Sequence, residues 1–221
     1  ERRARLRFEC AGDGATFLSG QSVPYPFHIC RPFYLPADPS GMATVYLQSC
    51  AGGIFEGDCL AIELLAGRGA QAHITTSAST IVHSMPVGCA RQQVKLTAAA
   101  HASLEFVPDP LILFPHSRLT SRVHVKLDDV ATVLLADAFV LHDPSSQEQS
   151  FEWLRSEIAV EDEAGHLLVL DRVHASGAAI AERWCGVTGA YAAQGSFYAL
   201  RRGAETGSLL ARLRAALDSM E

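Results

Sequence analysis

The organisation of the chain follows from the segment Gln48-Ser49-Cys50-Ala51-Gly52-Gly53-Ile54-Phe55-Glu56-Gly57-Asp58. Three glycines within six residues suggest a phosphate-binding loop. No Gly-Lys-Ser/Thr sequence follows, however, and the next segment is strand-like rather than the start of a helix. We therefore predict a tight chain reversal between two strands, with Glu56 and Asp58 held at its tip.

A unit of strand, turn and strand recurs downstream of this reversal. In each copy the second strand begins at a small residue after a short turn, and these residues are Ala70, Ala102 and Ala131. Their spacing is 32 and then 29 residues. A repeat of about 30 residues is typical of stacked hairpins, as in β-solenoids or a long two-layer sandwich.

Alternation of polar and apolar residues marks further strands, with the clearest example from Leu119 to Leu127, where Ser121 shares the apolar face. The proline-rich segment from Pro24 to Pro39 is predicted to be extended and to cover a sheet edge. A last strand is predicted from Ala190 to Leu200, and helical periodicity is confined to Gly207 to Met220. We predict a single mostly β domain over residues 1–221, built as stacked hairpins, a two-layer β-sandwich or a β-helix-like fold, with one or two short helices.

Composition excludes several classes of protein. With 221 residues, 48% apolar and 19% charged, the chain is globular and long enough to bury a core. A formal net charge of −6 argues against general nucleic-acid binding. The six cysteines form no Cys-x-x-Cys pair, no signal peptide is visible, and Asp137 interrupts the longest apolar run. We expect a cytoplasmic protein with reduced thiols and no membrane association.

The sequence contains no evident catalytic motif. It has no Gly-x-Ser-x-Gly elbow, and Cys50 lies in no protease signature, so we expect a buried, inert thiol there. None of the nine histidines has a metal-binding spacing. His73, His83 and Glu105, with His116 as a further nitrogen, nevertheless leave open a nickel, zinc or iron site. A metal-dependent enzyme on a β-barrel, with His73, His83 and Glu105 as ligands, is therefore the alternative function.

A path for a metal ion in transit has different requirements from a stable site. The ion must be released again, which exposed carboxylates and water allow better than a closed cage of ligands. The candidate carboxylates lie in or beside apolar β segments: Glu56, Asp58, Glu105, Asp109 and Asp137. We favour Asp58, with Glu56 and Glu105, although each can equally cap a turn or lie on the surface.

The order and spacing of several short motifs resemble those of the UreD family of urease accessory proteins, called UreH in some organisms. The resemblance runs from about Pro24 to about Arg172. It is carried by the proline-rich segment, the Gly-Gly turn, Thr75-Thr76, Val82-His83, the segment Pro108-Asp109-Pro110-Leu111-Ile112-Leu113-Phe114, and Asp171-Arg172. Asp58 matches the aspartate that closes the Gly-Gly turn of the family.

The resemblance implies a β-rich scaffold without enzymatic activity that assists nickel insertion into apo-urease. Such a protein binds a UreF-type accessory protein, which recruits a UreG-type GTPase, and the complex docks on the structural subunits of apo-urease. Nickel(II) is implied as a transient passenger, with no tightly bound cofactor. Relatives usually continue beyond the position of Glu221, so we expect a truncated C-terminus and, with it, a weakened hold on UreF. An interaction module without a metal role is the third possibility.

Overall fold

A computed structural model describes residues 1–147, 149–189, 191–204 and 207–219. Within these ranges the chain forms fifteen strands and two helices. The strands are β1 (Arg2–Cys10), β2 (Thr16–Ser22), β3 (Phe27–Ile29), β4 (Ala43–Ser49), β5 (Cys59–Ala66), β6 (Gln71–Thr75), β7 (Thr80–Val82), β8 (Ala90–Ala98), β9 (Ser103–Phe106), β10 (Leu111–Leu113), β11 (Arg118–Leu127), β12 (Thr132–Leu141), β13 (Trp153–Glu161), β14 (Leu167–Ser176) and β15 (Ala193–Leu200). The helices are α1 (Gly177–Ala181) and α2 (Gly207–Asp218).

The strands form two sheets that pack face to face around two clusters of buried apolar side chains. The first sheet has the order β14-β13-β11-β8-β5-β1-β2. The second has the order β3-β4-β6-β9-β12-β10-β7, with β15 paired to β12. The central strands of both sheets are parallel, whereas β2, β14, β3 and β15 run antiparallel to their neighbours.

The chain winds between the two sheets, so each coil contributes strands to both of them. From β5 it crosses to β6 and β7 in the second sheet, and it returns to the first sheet in β8. Leu64 of one coil is in register with Leu96 of the next, and Leu96 is in register with Val125 of the coil after that. The prediction of a mostly β, stacked and solenoid-like fold is therefore confirmed. The two strands of each predicted unit lie in opposite sheets and pair with neighbouring coils.

The three predicted small residues occupy equivalent corners of successive coils. The backbone N–H groups of Ala70, Ala102 and Ala131 each donate to the carbonyl three residues earlier, at 3.0, 2.9 and 3.1 Å. All three alanines are buried. A small side chain suits these corners because close packing around a buried turn leaves little volume.

Alternation in the sequence assigned the inward and outward faces of the strands correctly. Leu119, Val123 and Leu127 are buried, as is Ser121 on the same face. The proline-rich segment covers an edge of the second sheet as predicted, because Phe27–Ile29 pairs with β4 and Phe33 forms a bridge with Thr44.

Two predicted elements extend to residues outside the described ranges, namely Ala190 and Met220. For the strand predicted from Ala190 the structure gives Ala193–Leu200, and for the helix predicted to Met220 it gives Gly207–Asp218. Both helices are short, as expected. Among the residues that the structure describes, no helix is both long and apolar enough to cross a membrane.

Candidate functional site

The predicted reversal joins β4 to β5, and its backbone is fixed to the second sheet. The N–H of Ile54 donates to the carbonyl of Ile81 at 2.8 Å, and the N–H of His83 donates to the carbonyl of Ile54 at 2.9 Å. Gly53 has a φ of +142°, and a Cβ atom at this position would lie 2.5 Å from the carbonyl oxygen of Ile81. Only glycine allows this approach of two backbones, so Gly53 serves packing.

Glu56 and Asp58 stabilise the tip of the reversal. The N–H of Phe55 donates to Oδ2 of Asp58 at 2.8 Å, and the N–H of Gly88 donates to Oε1 of Glu56 at 2.6 Å. Within the described chain, these are the only hydrogen bonds that the two carboxylates accept. Each carboxylate therefore keeps its second oxygen available to water or a cation.

Glu105 lies on the outer face of the second sheet, in an element different from that of Glu56 and Asp58. It faces His73 across β9 and β6, with 2.7 Å between Oε2 of Glu105 and Nδ1 of His73. His83 is not part of this pair, because its ring stacks on Phe55 with a centroid distance of 4.3 Å. The structure thus brings together two of the three ligands of the alternative metal site.

The remaining histidine of that hypothesis also has a different partner. Nδ1 of His116 lies 3.1 Å from Oε1 of Glu152. Over residues 1–147, 149–189, 191–204 and 207–219, no three or more His, Cys, Asp or Glu side chains converge in a way that could hold a metal ion. The described part of the chain therefore offers no ready-made stable metal centre.

A cavity of about 80 Å³ lies between the two sheets, close to the reversal. This volume is large enough for ordered water molecules, which need polar partners. Hydroxyl, amide and carboxylate groups supply such partners in the cavity wall: Gln48, Ser49, Thr76, Thr80, Gln92, Asp109, Ser121 and Asp137. The cavity wall thus contains a polar layer, defined by these eight residues, in which Ser121 is buried, Ser49 and Asp109 are exposed and the others are half-buried.

The polar layer lies where the strands of the second sheet are interrupted. Between β6 and β7 the hydroxyl of Thr76 donates to Oδ2 of Asp109 at 2.8 Å, and Asp109 belongs to the break between β9 and β10. In the first sheet, Gln92, Ser121 and Ser156 are neighbours in register on three adjacent strands. Polar side chains from both sheets therefore meet at one level of the coil.

Asp137 connects this cavity to a second one of about 20 Å³. Oδ2 of Asp137 accepts a hydrogen bond of 2.6 Å from the hydroxyl of Ser156 in the opposite sheet. Beyond it, the second cavity is lined by Asp171 of β14 and Tyr198 of β15, whose hydroxyl donates to Asp171. The two cavities thus share Asp137, and polar groups line both of them, from the reversal to β14 and β15.

The surroundings of Asp137 and Tyr198 shift the pKa of both groups. Burial raises the pKa of Asp137; the hydrogen bond from Ser156 opposes this shift, and the nearby charge of Asp171 adds to it. Burial, followed by the hydrogen bond to Asp171, raises the pKa of Tyr198 to about 12. A positive ion beside Asp137 and Asp171 would relieve the cost of two close carboxylates in a desolvated site.

A surface depression of about 330 Å³ adjoins the interior cavity at the reversal. The two share Leu47, Gln48, Ser49, Thr76 and Thr80 in their walls. Cys50 also lines the depression and is exposed, so the prediction of a buried thiol is wrong. The reversal places it outside the core because it precedes the point where the chain rejoins the sheet.

Sequence reasoning identified Asp109 and Asp137 as candidates but missed Gln92, Ser156 and the meeting of the two sheets. The available signal was a polar residue on an apolar face, as Ser121 shows. Gln92 interrupts the inward stripe of Ala90, Val94 and Leu96 in the same way. Such interruptions in neighbouring coils mark a polar layer in a stacked fold.

Comparison with known proteins gives concordant matches. A family model described as UreD urease accessory protein matches residues 1–221. The chain is 45% identical to urease accessory protein UreD 1 of Pseudomonas syringae pv. syringae (strain B728a) over 217 residues, which are 98% of this chain and 76% of the relative. It is 41% identical to UreD 1 of Pseudomonas syringae pv. tomato (strain ATCC BAA-871 / DC3000) over 97% of this chain and 75% of the relative. For UreD 1 of Methylorubrum populi (strain ATCC BAA-705 / NCIMB 13946 / BJ001) the identity is 39%, over 76% of this chain and 57% of the relative.

Proposed function

The chain belongs to the UreD family of urease accessory proteins, and from this premise we propose that it acts in urease maturation as a non-enzymatic scaffold. In this proposal it bridges apo-urease to a UreF-type protein and a UreG-type GTPase, and nickel(II) passes through it without being retained. The names of the matched relatives support the role in urease maturation. The partners and the nickel path are the finer parts of the proposal.

The polar layer is the observation that supports nickel passage most directly. A divalent ion in transit needs oxygen ligands and water that hold it weakly, together with negative charge where it leaves bulk solvent. The surface depression at the reversal has polar side chains in its wall, and the cavity behind it adds the carboxylates of Asp109 and Asp137. Glu56 and Asp58 belong to the same reversal but line neither space, and in this proposal they are first contacts for the ion at the surface. Glu105 lies on the outer face of the second sheet, where it would serve a separate route.

Exposed apolar side chains support the scaffold role. Leu168 and Leu170 of β14 and Phe197 of β15 are exposed, and Leu213 is one of several exposed leucines on α2. Clusters of exposed apolar side chains on a protein surface are typical of interaction sites. Six free cysteines fit a reducing compartment, so the proposal places the protein in the cytoplasm.

The decisive experiment is co-expression of a urease operon with and without the gene for this protein, followed by measurement of nickel per purified urease and of activity. We expect both to fall without the protein and to be restored when it is supplied. Urease that carries its full nickel content without the protein would refute the proposal.

Metal analysis of the purified protein separates the proposal from the alternative enzyme. We expect weak, substoichiometric nickel that is lost on dialysis. Tight, stoichiometric metal that disappears in H73A and E105A would instead support an enzyme that uses His73, His83 and Glu105. Normal nickel transfer in variants of Asp58 and Asp137 would favour an interaction module without a metal role.

A further inference from the structure

The outer face of the first sheet is strongly basic, although the chain as a whole is acidic. Strands β1, β5, β8, β11, β13 and β14 point ten lysine or arginine side chains and four glutamates away from the core. This basic face has a formal charge of +6, whereas the whole chain has −6, which leaves −12 for the rest of the molecule. The basic residues are Arg3, Arg5, Arg7, Arg91, Lys95, Arg118, Arg122, Lys126, Arg155 and Arg172; the acidic residues are Glu9, Glu63, Glu157 and Glu161.

The ion pairs of the basic face involve mainly its flanks. Glu63 binds Arg3 and Arg5 at 2.8 and 2.7 Å, and Glu157 binds Arg172 at 2.7 Å. Five basic residues in the middle have no carboxylate within 4.0 Å among residues 1–147, 149–189, 191–204 and 207–219. They form the central strip, which consists of Arg91, Lys95, Arg122, Lys126 and Arg155.

The central strip is held in place by three adjacent parallel strands, β8, β11 and β13. Arg91 and Arg155 flank Thr120 in one row of the sheet, and Lys95 lies beside His124 two rows further on. Neighbouring strands are about 4.8 Å apart and alternate residues about 7 Å apart, so the five cations occupy a patch about 10 Å wide. Glu63, Glu157 and Glu161 lie opposite Lys95, Arg122 and Lys126 on neighbouring strands, whereas Arg91 and Arg155 have no glutamate opposite them. The strip is therefore only partly compensated within the sheet, and a partner that supplies carboxylates adds the missing pairs.

We propose that the basic face is a docking surface for a protein that presents clustered aspartate and glutamate side chains. The inference rests on the proposed function in that the partner is sought in the urease-maturation complex. Arginine predominates on the face, and its planar guanidinium group binds carboxylates with two parallel hydrogen bonds. Charge complementarity of this kind determines the orientation of a complex and its association rate.

The charge distribution favours an acidic protein over a nucleic acid or a lipid surface. A long polyanion approaching the basic face also meets the field of the remaining −12 charges, and the four glutamates of the face repel phosphates. A folded partner with a local acidic patch lies within about one Debye length, about 8 Å, of the basic face. At this distance the basic face determines the electrostatic potential that the partner meets, because more distant charges are screened.

The lysines of the chain allow a direct test, because Lys95 and Lys126 are the only two and both lie in the central strip. The protein is bound to apo-urease in one experiment and to the UreF-type protein in another. Each complex is then treated with a zero-length carbodiimide reagent that joins amines to carboxylates. We expect cross-links from Lys95 and Lys126 to acidic residues of one of these partners. The variant K95R/K126R keeps the charge and should abolish the cross-links without weakening binding.

Affinity measurements provide the second test. Neutralising R91Q/R122Q/R155Q should raise the Kd for the cross-linked partner tenfold or more and flatten its dependence on salt concentration. The matched control R31Q/R68Q/R183Q removes the same charge from exposed positions outside the basic face. Its Kd should change less than twofold. Equal melting temperatures of the two triple variants ensure that a loss of binding is not a loss of folding.

The outcomes distinguish this inference from the proposed function. The rate at which Lys95 and Lys126 are acetylated reports whether a partner covers the basic face. If both lysines react as fast in the complex as in the free protein, and urease is still loaded with nickel, the docking inference is overturned and the proposed function stands. Binding of duplex DNA by the free protein, without protein cross-links, would also overturn it. If urease matures without the protein and neither partner binds it, both are refuted.

Discussion

The hydroxyl of Ser156 donates a 2.6 Å hydrogen bond to Oδ2 of Asp137, and this bond joins the two sheets across the interior of the coil. Asp137 belongs to β12 in the second sheet and Ser156 to β13 in the first. The bond therefore fixes the spacing of the sheets at the point where the two interior cavities meet.

Replacing Asp137 by Asn should separate stability from nickel delivery. Burial raises the pKa of Asp137, so its folded state holds a proton more tightly than the unfolded state. Its contribution to stability is fully present below the ordinary value of 3.8 and is lost as the pH rises through the raised pKa. D137N keeps the acceptor for Ser156 and has no proton to lose, so its unfolding free energy at pH 7 should equal or exceed that of the parent.

Urea unfolding of D137N and the parent protein between pH 4 and 7 tests this expectation. The advantage of the variant should grow with pH, whereas nickel per urease should fall severalfold because the carboxylate is gone. An advantage that shrinks with rising pH would contradict the assignment of a raised pKa to Asp137.

Filling the interior cavity should block nickel delivery without unfolding the protein. Ser121 is buried in the cavity wall, and S121L adds apolar volume to a space of about 80 Å³. We expect the melting temperature to stay within a few degrees, since filling a cavity offsets the lost hydroxyl. Nickel content and activity of co-expressed urease should drop.

The variant S121A serves as the control, because it removes the hydroxyl and leaves the space open. Retained nickel loading in S121A with loss in S121L would assign the effect to obstruction. Normal loading in both variants would exclude this cavity as the route.

Asp58 has a turn-capping role that must be distinguished from any role in metal contact. D58N keeps an oxygen that accepts from the N–H of Phe55, whereas D58A leaves that donor without its partner. We expect D58A to lower the unfolding free energy by about 1 kcal/mol and D58N to leave it nearly unchanged. Reduced nickel transfer in D58N would then report the loss of charge alone, and unchanged transfer would restrict Asp58 to the turn.

Gly53 and Gly52 should differ sharply in their tolerance of alanine. Both have positive φ, but a Cβ atom at Gly53 would lie 2.5 Å from the carbonyl oxygen of Ile81, while a Cβ atom at Gly52 meets nothing within 4 Å. We expect G53A to cost about 3 kcal/mol or more and G52A about 1 kcal/mol. Equal costs measured by chemical denaturation would contradict the close approach of the reversal to β7.

The sequence was informative where structure depends on neighbours along the chain. Alternation assigned the faces of β11 because it is a local signal, and the spacing of Ala70, Ala102 and Ala131 revealed the coil because a repeated pattern is visible along the chain. The polar layer was hidden because its members meet across distance. Ser121 is in register with Gln92 and Ser156, 29 and 35 residues away, and alternation indicates which face a residue lies on without indicating its neighbours.

The candidate metal ligands failed to converge for the same reason. His73 and Glu105, two of the ligands proposed for one site, lie 32 residues apart and do form a pair. His83 directly follows β7, but its ring stacks on Phe55 of the reversal. Sequence spacing could not show that this aromatic residue folds back against the histidine.

The register of the coil also determines how its length can change. Ala66 at the end of β5 is in register with Ala98 at the end of β8, so residues 67–98 correspond to one complete turn of the chain. Excising that span would join two backbone positions that are already equivalent, and the strands on either side would meet in matching parallel alignment. Proteins with this architecture can therefore gain or lose whole turns by duplication or deletion of about thirty codons, whereas insertion of a single residue within a strand would put every following side chain of that strand on the wrong face.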